Sequence, residues 1–356
     1  MGLNQRFLHN ISDFGTSVMR LFPAEMAHNL GIFVLKNGLQ KALPRPSFVP
    51  SLDLSIDLPG IGSFEHPIGL AAGFDKNAAA VMGFHDLGFS FIEVGTVTPR
   101  PQQGNPKPRL FRYPEQSAIV NRMGFNNDGM SAMRARFQKG QFKDRGVTVG
   151  INVGKNKDTP LDHAITDYIT SLRELEEFGS YFVINISSPN TPGLRDLASK
   201  EFLKALSTEI SNLNADMLKR VWVKVDPDLE KNHFQEVVEV ISKSGFAGII
   251  LTNTHRVEKP QVGGQSGHPV GVLSTLRLEW AHEVTGGSLP MIGVGGIMSG
   301  GDIYQKIIRG SSACQIYTAM VYRGPWAVQK LLEELEWELK LHGHKSLKEA
   351  QGTYYK

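Results

Sequence analysis

Cysteine and long apolar runs are almost missing from this chain of 356 residues. Its single cysteine, Cys314, excludes an intramolecular disulfide and a cysteine-rich metal site, and it favours a reducing compartment. No run approaches the roughly 18 apolar residues that a membrane-spanning helix needs. The first residues also lack the charged, apolar and small-residue order of a secretion signal. We therefore expect neither a secretion signal nor a membrane span.

Several motifs that would indicate a function are absent as well. No G-x-G-x-x-G turn follows the first predicted strand and no G-x-x-x-x-G-K-[ST] loop occurs, which disfavours the usual dinucleotide and ATP sites. No His, Asp or Glu cluster stands at the strand ends to hold a metal, and no close carboxylate pair indicates glycoside chemistry. The net charge of +3 lies in residues 1–45, so the body of the chain has no basic patch. We expect no metal site and no nucleic-acid partner.

Residues 1–43 are predicted to form an amphipathic helical hairpin. Apolar residues recur at helical spacing over residues 7–22, and Pro23 can open a second helix that ends near Gly38. Such a pair can pack on the body of the protein, or it can lay its apolar face on lipid. Composition alone favours the first alternative. A proline-marked stretch then leads into the main domain, residues 44–356.

The main domain repeats one unit, in which a short apolar run is followed by a turn and then a helical stretch. The runs are continuous rather than alternating, which indicates strands buried on both faces of a parallel sheet. Eight such units match a closed α/β barrel, the (β/α)8 or TIM fold, better than an open sheet. The runs are residues 68–71, 89–94, 147–153, 182–186, 221–225, 248–251, 291–294 and 313–317.

Two segments lie outside this repeat. Residues 52–58 alternate polar and apolar side chains, and with the segment near Phe64 they predict a short hairpin that closes one barrel end. Residues 99–128 form an insertion without a helical period. Loops of this length are more often functional than not.

The strand ends, where barrel enzymes carry their chemistry, hold neutral amides and hydroxyls. Asparagine offers donors and an acceptor on one planar group, which suits the N–H and C=O edge of a pyrimidine, an imide or an isoalloxazine ring. A lone asparagine at a strand end is usually a turn residue, but several on one rim favour a ligand site. Glu93 lies inside a strand and is expected to be a paired polar residue of the barrel interior.

Two lysines also stand at the strand ends. Lys224 is expected to project into the barrel mouth, where an unpaired ammonium is costly and an anionic flavin edge would stabilise it. The alternative is a salt bridge to Asp226 or Glu93. Lys76 could meet a substrate carboxylate or carbonyl, and either lysine could instead form a Schiff base.

After the seventh strand, Gly293-Val294-Gly295-Gly296 precedes helical sequence and has the form of a phosphate-binding turn. Glycines let an anion approach backbone N–H groups and the helix N-terminus. Together with Tyr317 and Thr318 after the eighth strand, this turn predicts a barrel phosphate site.

Four segments resemble the dihydroorotate dehydrogenase family. They are Ala71-Ala72-Gly73-Phe74-Asp75-Lys76, Asn121-Arg122-Met123-Gly124-Phe125-Asn126, Asn185-Ile186-Ser187-Ser188-Pro189-Asn190-Thr191, and the late glycine turn with Tyr317-Thr318. The resemblance spans about residues 20–335, and its motifs are long and specific. It implies a flavoprotein oxidoreductase of pyrimidine biosynthesis.

The resemblance also implies the sites. FMN would be held by Ala72, Gly73, Phe74, Asp75, Lys76, Thr96, Asn152, Asn185, Lys224, Thr252, Gly267, Gly296, Tyr317 and Thr318. Dihydroorotate would be bound by Lys76, Asn121, Arg122, Met123, Gly124, Phe125, Asn185, Asn190, Asn253 and Thr254. By position, His28, Arg112 and Tyr317 resemble the polar residues of a quinone tunnel.

Members of the family take a proton from C5 of dihydroorotate and transfer a hydride from C6 to flavin N5. The base is a cysteine in the soluble branch and a serine in the quinone-using branch, and the matching position here is Ser188. A serine needs help to act as a base, and we expect it from a route through Thr191 and water, with Lys76 stabilising enolate charge. The alternative is that Ser187 and Ser188 only shape a turn.

In the quinone branch the N-terminal helical pair forms an apolar tunnel from the bilayer to the flavin. The resemblance therefore implies a peripheral enzyme on the cytoplasmic side of a bacterial-like cell membrane, with no iron–sulfur subunit. Three alternatives stay open. They are a soluble flavoenzyme that reduces fumarate or NAD, a Schiff-base lyase that uses Lys224 or Lys76, and a partner-binding hairpin on a barrel without activity.

Overall fold

The eight apolar runs form eight parallel strands that close on themselves. The computed structural model describes residues 15–43, 48–188, 190 and 194–356, with residue 196 described by its backbone alone. The strands are β1 (Ile56–Leu58), β2 (Gly62–Phe64), β3 (Ile68–Leu70), β4 (Ile92–Val97), β5 (Leu110–Tyr113), β6 (Ala118–Asn121), β7 (Val149–Val153), β8 (Tyr181–Asn185), β9 (Val221–Val225), β10 (Gly248–Leu251), β11 (His255–Val257), β12 (Gly263–Gly267), β13 (Met291–Val294) and β14 (Ala313–Ile316).

The barrel runs in the order β3, β4, β7, β8, β9, β10, β13 and β14, and β14 returns to β3. Closure is made where Ile316 pairs with Leu70, and every neighbouring pair is parallel. Every residue of these eight strands is buried. Continuous apolar sequence is the expected composition of strands that face the barrel interior on one side and helices on the other. The predicted (β/α)8 architecture is confirmed.

Helices cover the outside of the barrel. Their bounds are Ala24–Lys36, Val81–Asp86, Met130–Gly140, Ala164–Leu175, Lys200–Leu213, Lys231–Lys243, Gly271–Thr285, Gly300–Ile308, Thr318–Arg323, Ala327–Leu341 and Leu347–Ala350. Apolar side chains on the inner faces of these helices join the strands in one hydrophobic core. The predicted hairpin also forms, with β1 antiparallel to β2.

A second sheet was not predicted from the sequence. Strands β5 and β6 lie within the insertion at residues 99–128 and pair with each other, and β6 also pairs with β12, which follows β10 in sequence and pairs in turn with β11. All three contacts are antiparallel, and Gly264 of β12 lies opposite Asn121 of β6. These strands are short, and the pairing of β6 with β12 joins segments that are distant in sequence, so neither alternation nor a turn signal indicates the sheet. The sheet places the insertion beside the carboxyl ends of the barrel strands.

The N-terminal segment is confirmed in part. A helix spans Ala24–Lys36 after Pro23, as predicted, and residues 15–19 are also helical. The first half of the predicted first helix and residues 44–47 lie outside the described residues. Glu25 ties the second helix to the insertion, because its carboxylate accepts from the buried Arg109 guanidinium at 2.8 Å. Within the described ranges, the structure contains no helix with the length and hydropathy of a membrane span.

Candidate active site

A polar pocket, here called the rim pocket, lies at the carboxyl ends of the barrel strands. It encloses about 1070 Å³, counting its open mouth. The predicted site residues that line it are Ala72, Gly73, Lys76, Thr96, Asn121, Met123, Gly124, Phe125, Asn185, Ser188, Asn190, Lys224, Thr252, Asn253, Thr254, Gly267, Gly296, Tyr317 and Thr318. These residues are separated by up to about 250 positions in sequence, and the barrel brings them to one place.

A chain of amides forms the floor of the rim pocket. The Asn185 amide donates to Thr96 Oγ1 at 2.9 Å and to Asn152 Oδ1 at 3.2 Å. Asn152 donates to Glu93 Oε1 at 2.7 Å, and Gln315 donates to Glu93 Oε2 at 2.6 Å. All five side chains are buried, so each of these bonds fixes a polar group that would be costly if unpaired. Glu93 is therefore the paired interior residue that was predicted.

Lys224 lies over this floor with its ammonium free. Among the described residues it has no hydrogen bond or ion pair, although its side chain is buried and lines the rim pocket. The expected alternative partners are engaged elsewhere, because Asp226 pairs with Arg195 while Glu93 accepts two amides. Burial lowers the pKa of Lys224, and the nearby charge of Glu93 opposes that shift. The ammonium is thus available to an anionic or electron-rich group in the pocket.

Ser188 lies at the mouth of the pocket within a set of amides. Its Oγ accepts from the Asn190 backbone N–H at 3.3 Å, and the Asn190 amide donates to Asn121 at 3.2 Å. On the other side, the Asn253 amide donates to Ser187 Oγ at 2.9 Å and to Asn185 at 3.3 Å. Asn121, Asn185, Asn190 and Asn253 therefore meet at one rim of the barrel, next to Ser187 and Ser188. Thr191, the proposed helper, lies outside the described residues.

Lys76 is the second cation of the rim pocket. Its ammonium donates to the Gly73 carbonyl at 2.8 Å, a contact made by the turn that follows β3. Burial lowers the pKa of Lys76 to about 8, and the positive charge of Arg109 adds to this shift, while Glu25 and Asp75 oppose it. A lysine with this pKa is still largely charged at neutral pH. It can therefore bind an anion in the pocket.

Four residues predicted to bind the flavin or the substrate do not line the rim pocket. Asp75 accepts from the backbone N–H groups of Ala79 and Ala80 at 2.9 and 2.7 Å, so it shapes the loop after β3. Arg122 points outward and donates to the Pro108 carbonyl at 3.0 Å. Asn152 supports the amide floor from below. The fourth, Phe74, lines a different cavity.

The glycine turn is placed as predicted. Gly295 and Gly296 line the rim pocket with positive φ angles of 104° and 76°. A Cβ on Gly296 would lie 2.0 Å from Gly271 Cα, and one on Gly267 would lie 2.1 Å from the Ser117 carbonyl oxygen. Only glycine fits these positions, because another segment of the backbone packs directly against each of them. Thr318 lies beside the turn and shares a 2.8 Å hydrogen bond with Ser266.

An apolar cavity lies on the other side of Phe74 and Tyr317. It encloses about 1670 Å³, counting its opening, and most of its lining comes from the N-terminal helix, β5 and the segment after β14. His28, Arg112 and Tyr317 all line it, so the three predicted tunnel residues lie together. Tyr317 also lines the rim pocket, and its ring centroid is 4.9 Å from that of Phe74. The two cavities therefore share one aromatic wall.

The polar residues of the apolar cavity are few and fixed. Arg112 donates to the Met19 carbonyl at 3.4 Å and to the Phe22 carbonyl. The His28 ring lies 5.3 Å from Phe74, centroid to centroid. Burial lowers the pKa of His28 to about 3, and the charge of Lys76 adds to the shift. His28 is therefore neutral at physiological pH and can donate one hydrogen bond and accept another.

Sequence reasoning missed several residues of the site. Gln315 is a polar residue inside an apolar strand, and that departure from the pattern is the signal that could have identified it. Gln265 and Ser266 line the rim pocket from β12, a strand that was not predicted. Arg109 and Glu25 both shift the pKa of Lys76. They pair with each other across 84 positions in sequence, and no local pattern indicates such a pair. Within the described ranges, no group of three or more His, Cys, Asp or Glu side chains could hold a metal ion.

Comparisons with known proteins give a consistent result. Residues 54–339 match the dihydroorotate dehydrogenase family. The chain is 42% identical to the mouse mitochondrial dihydroorotate dehydrogenase (quinone), covering 95% of this chain and 88% of that protein. It is 44% identical to the Gloeobacter violaceus dihydroorotate dehydrogenase (quinone), covering 86% and 87%. The crystal structure of the Eimeria tenella enzyme in complex with ferulenol is similar with a TM-score of 0.85, at 35% identity, over 93% of this chain and 96% of that one.

Replacing Glu93 by glutamine tests the floor of the rim pocket. The two carboxylate oxygens of Glu93 accept from Asn152 and from Gln315. A glutamine has a single side-chain oxygen, so it could accept from only one of these amides, and its NH₂ group would face the other donor. Lys224 would also lose its nearby negative charge. We expect Glu93→Gln to lower the free energy of unfolding by about 3 kcal/mol, measured by urea denaturation.

The matched control is Glu239→Gln, which removes an exposed carboxylate paired with Lys243. That change should leave the free energy of unfolding nearly unaltered, because water and salt screen an exposed ion pair. Equal stability of the Glu93→Gln variant and the unchanged protein would show that the floor does not depend on this carboxylate.

Proposed function

The chain belongs to the dihydroorotate dehydrogenase family, and from that premise we propose how its two cavities divide one reaction. The protein is an enzyme that oxidises dihydroorotate to orotate and passes the electrons to a quinone, a step in pyrimidine biosynthesis. The observation that carries the proposal is the shared wall, because Tyr317 lines a polar pocket on one side and an apolar cavity on the other. The first suits a charged pyrimidine, and the second suits a quinone.

The flavin of this family fits the rim pocket in the form of FMN. Amides of the floor can pair with the N–H and C=O edge of its ring, and the free Lys224 ammonium can stabilise negative charge on that edge. The backbone at Gly267, Gly295 and Gly296, with Thr318, can hold its phosphate. When bound, the flavin supplies the hydride acceptor for C6 of dihydroorotate and the electron donor for the quinone. The rest of the proposed FMN set is Ala72, Gly73, Phe74, Asp75, Lys76, Thr96, Asn152, Asn185, Thr252 and Tyr317.

The substrate is held from the mouth of the same pocket. The amides of Asn121, Asn190 and Asn253 can bind the ring edge of dihydroorotate, and Lys76 can pair with its carboxylate. Asn185, Met123, Gly124, Phe125 and Thr254 complete the set, with Arg122 supporting the loop from outside. These groups exclude water from a flat substrate and leave one face toward the flavin site.

Ser188 is the base in this proposal, and it removes the proton from C5. It is buried, it lines the rim pocket, and the Asn190 backbone N–H fixes its Oγ. Serine is a weak base, so charge that develops on the substrate as the proton leaves must be stabilised. The ammonium of Lys76, which also lines the rim pocket, supplies the positive charge that stabilises it.

The apolar cavity is the proposed quinone site. Its lining is mostly aliphatic and aromatic, and the neutral His28 ring and the Arg112 guanidinium are among its few polar groups. The N-terminal helix that forms one side exposes Met26 and Phe33, and Leu21 in the turn before it is 84% exposed. We propose that this face meets lipid peripherally, on the cytoplasmic side of a bacterial-like membrane, so that the quinone enters from the bilayer.

The Ser188→Ala variant tests the base. Loss of the group proposed to take the C5 proton should lower the first-order rate of flavin reduction by about 10²–10⁴ under anaerobic stopped-flow conditions. The affinity for orotate should change little, because the amides that bind the ring remain. The matched control is Ser187→Ala, since Ser187 contacts Asn253 rather than the pocket, and this change should raise the KM more than it lowers the rate. Full turnover in Ser188→Ala would exclude Ser188 as the base.

The pH dependence of orotate binding tests Lys76. Its folded pKa is lowered to about 8, so the cation is present below that pH and is lost as the pH rises through it. The Kd for orotate should therefore increase above about pH 8, by up to roughly tenfold per pH unit. In Lys76→Met the Kd should be high and should not rise in this way, whereas Lys76→Arg should keep its affinity into the alkaline range. If the Kd for orotate rose above about pH 8 in Lys76→Met as it does in the unchanged protein, Lys76 would not be the cation that binds orotate.

A large side chain inside the apolar cavity tests the quinone site. Ala27 lines that cavity, so Ala27→Trp should lower quinone turnover by roughly tenfold or more by filling the space. Flavin reduction by dihydroorotate, measured without quinone, should stay within about twofold. Asn29→Trp is the matched control, because it adds the same side chain at an exposed position of the same helix. Unchanged quinone turnover in Ala27→Trp would place the quinone elsewhere.

A further inference from the structure

Lys306 is a buried lysine that the reaction as described does not use. It lies in the helix Gly300–Ile308 with only 1% of its surface exposed. Its ammonium donates to Ser274 Oγ at 2.6 Å and to Thr275 Oγ1 at 3.2 Å, and among the described residues it has no ion pair. Asp302, on the same helix, is engaged as a cap, accepting from the Met298 and Ser299 backbone N–H groups. The ammonium is therefore held by neutral hydroxyls alone.

Burial of a cation without an anion is costly, so the charge of Lys306 needs an explanation. Burial lowers the pKa of Lys306 to about 8, which leaves the ammonium mostly charged at neutral pH. The neighbouring Cys314 thiol cannot supply the anion, because burial raises its pKa to about 12. The backbone makes room for the lysine, since a Cβ on Gly293 would lie 2.8 Å from Lys306 Cδ. The charge of Asp302 partly opposes the effect of burial, but no protein anion in the described part of the chain makes a hydrogen bond or an ion pair with the ammonium.

The hydroxyls that hold Lys306 lead to the glycine turn of the rim pocket. Ser274 Oγ donates to the Gly295 carbonyl at 2.8 Å and to the Gly271 carbonyl at 3.1 Å. Gly271 begins the 15-residue helix that contains Ser274 and Thr275, and Gly296 packs against it. Two successive hydrogen bonds through Ser274 Oγ thus connect the Lys306 ammonium to the Gly295 carbonyl. A buried charge acts strongly on an anion at this range, because little water screens it.

We propose that Lys306 is a positioning residue that stabilises the phosphate monoester of the bound flavin through Ser274 and the Gly295–Gly296 turn. The proposal rests on the flavin site proposed above. It predicts that Lys306 selects phosphorylated flavin over unphosphorylated flavin without touching either. The anion that the buried ammonium lacks in the protein is then supplied by the ligand.

The test measures flavin binding rather than turnover. Full-length protein freed of flavin is titrated with FMN and, separately, with riboflavin, and quenching of flavin fluorescence gives each Kd. Lys306→Met has nearly the same length and no charge. We expect it to raise the Kd for FMN by about tenfold or more and to change that for riboflavin by less than about twofold. Ser274→Ala should shift the ratio of the two Kd values in the same direction while it leaves the lysine in place.

The matched control is Lys155→Met. Lys155 is equally buried, but its ammonium donates to the Asn156 and Thr159 carbonyls away from the glycine turn. Its replacement should leave the ratio of Kd values unchanged. An equal loss of FMN and riboflavin affinity in Lys306→Met and Ser274→Ala would overturn the proposal and leave Lys306 a structural role only. Failure of the unchanged protein to bind either flavin would instead contradict the flavin site itself.

Discussion

The contact between Phe74 and Tyr317 is the constraint on which the rest of the account depends. Their ring centroids are 4.9 Å apart, and Tyr317 faces both cavities. A polar substrate and an apolar acceptor have opposite solvation requirements, and a single pocket could not satisfy both. The aromatic wall lets the two sites differ in polarity although only the side chain of Tyr317 separates them at their shared boundary. Both rings come from segments that follow barrel strands, β3 and β14, and the N-terminal helix packs against Phe74 through His28.

The charges on the polar side are few, and each has a defined environment. Glu93 is fixed by two amides, which leaves its negative charge to act on Lys224. Lys76 keeps its charge at neutral pH because Glu25 and Asp75 oppose the effects of burial and of Arg109. Glu25 comes from the N-terminal helix, so the element that forms the apolar cavity also acts on the electrostatics of the polar one. The helix is therefore part of both sites.

Much of the fold could be predicted from the sequence, because a strand buried on both faces leaves a continuous apolar run. The run at residues 248–251, for example, is β10 without a change of bounds. The four-stranded sheet could not be predicted, since Gly264 and Asn121 pair across 143 positions and neither strand has a local signal. For the site, Asn152, Asn185, Asn190 and Asn253 were predicted from their places at strand ends, whereas Asn121 came from the family resemblance. The role of Ser188 came from the family resemblance alone, because a serine before a proline has no distinctive pattern. The apolar cavity needed the structure, since its lining residues come from five separate stretches of the sequence.

The central claim is that substrate and quinone occupy different cavities on either side of one wall. The most direct measurement begins with the holoenzyme reduced anaerobically by dihydroorotate, so that the visible flavin band is bleached. The band is then restored with a soluble quinone at increasing concentrations of orotate. Orotate occupies the rim pocket in this account, so the rate of reoxidation should not depend on its concentration. A rate that falls toward zero as orotate saturates the enzyme would show that both ligands compete for one site.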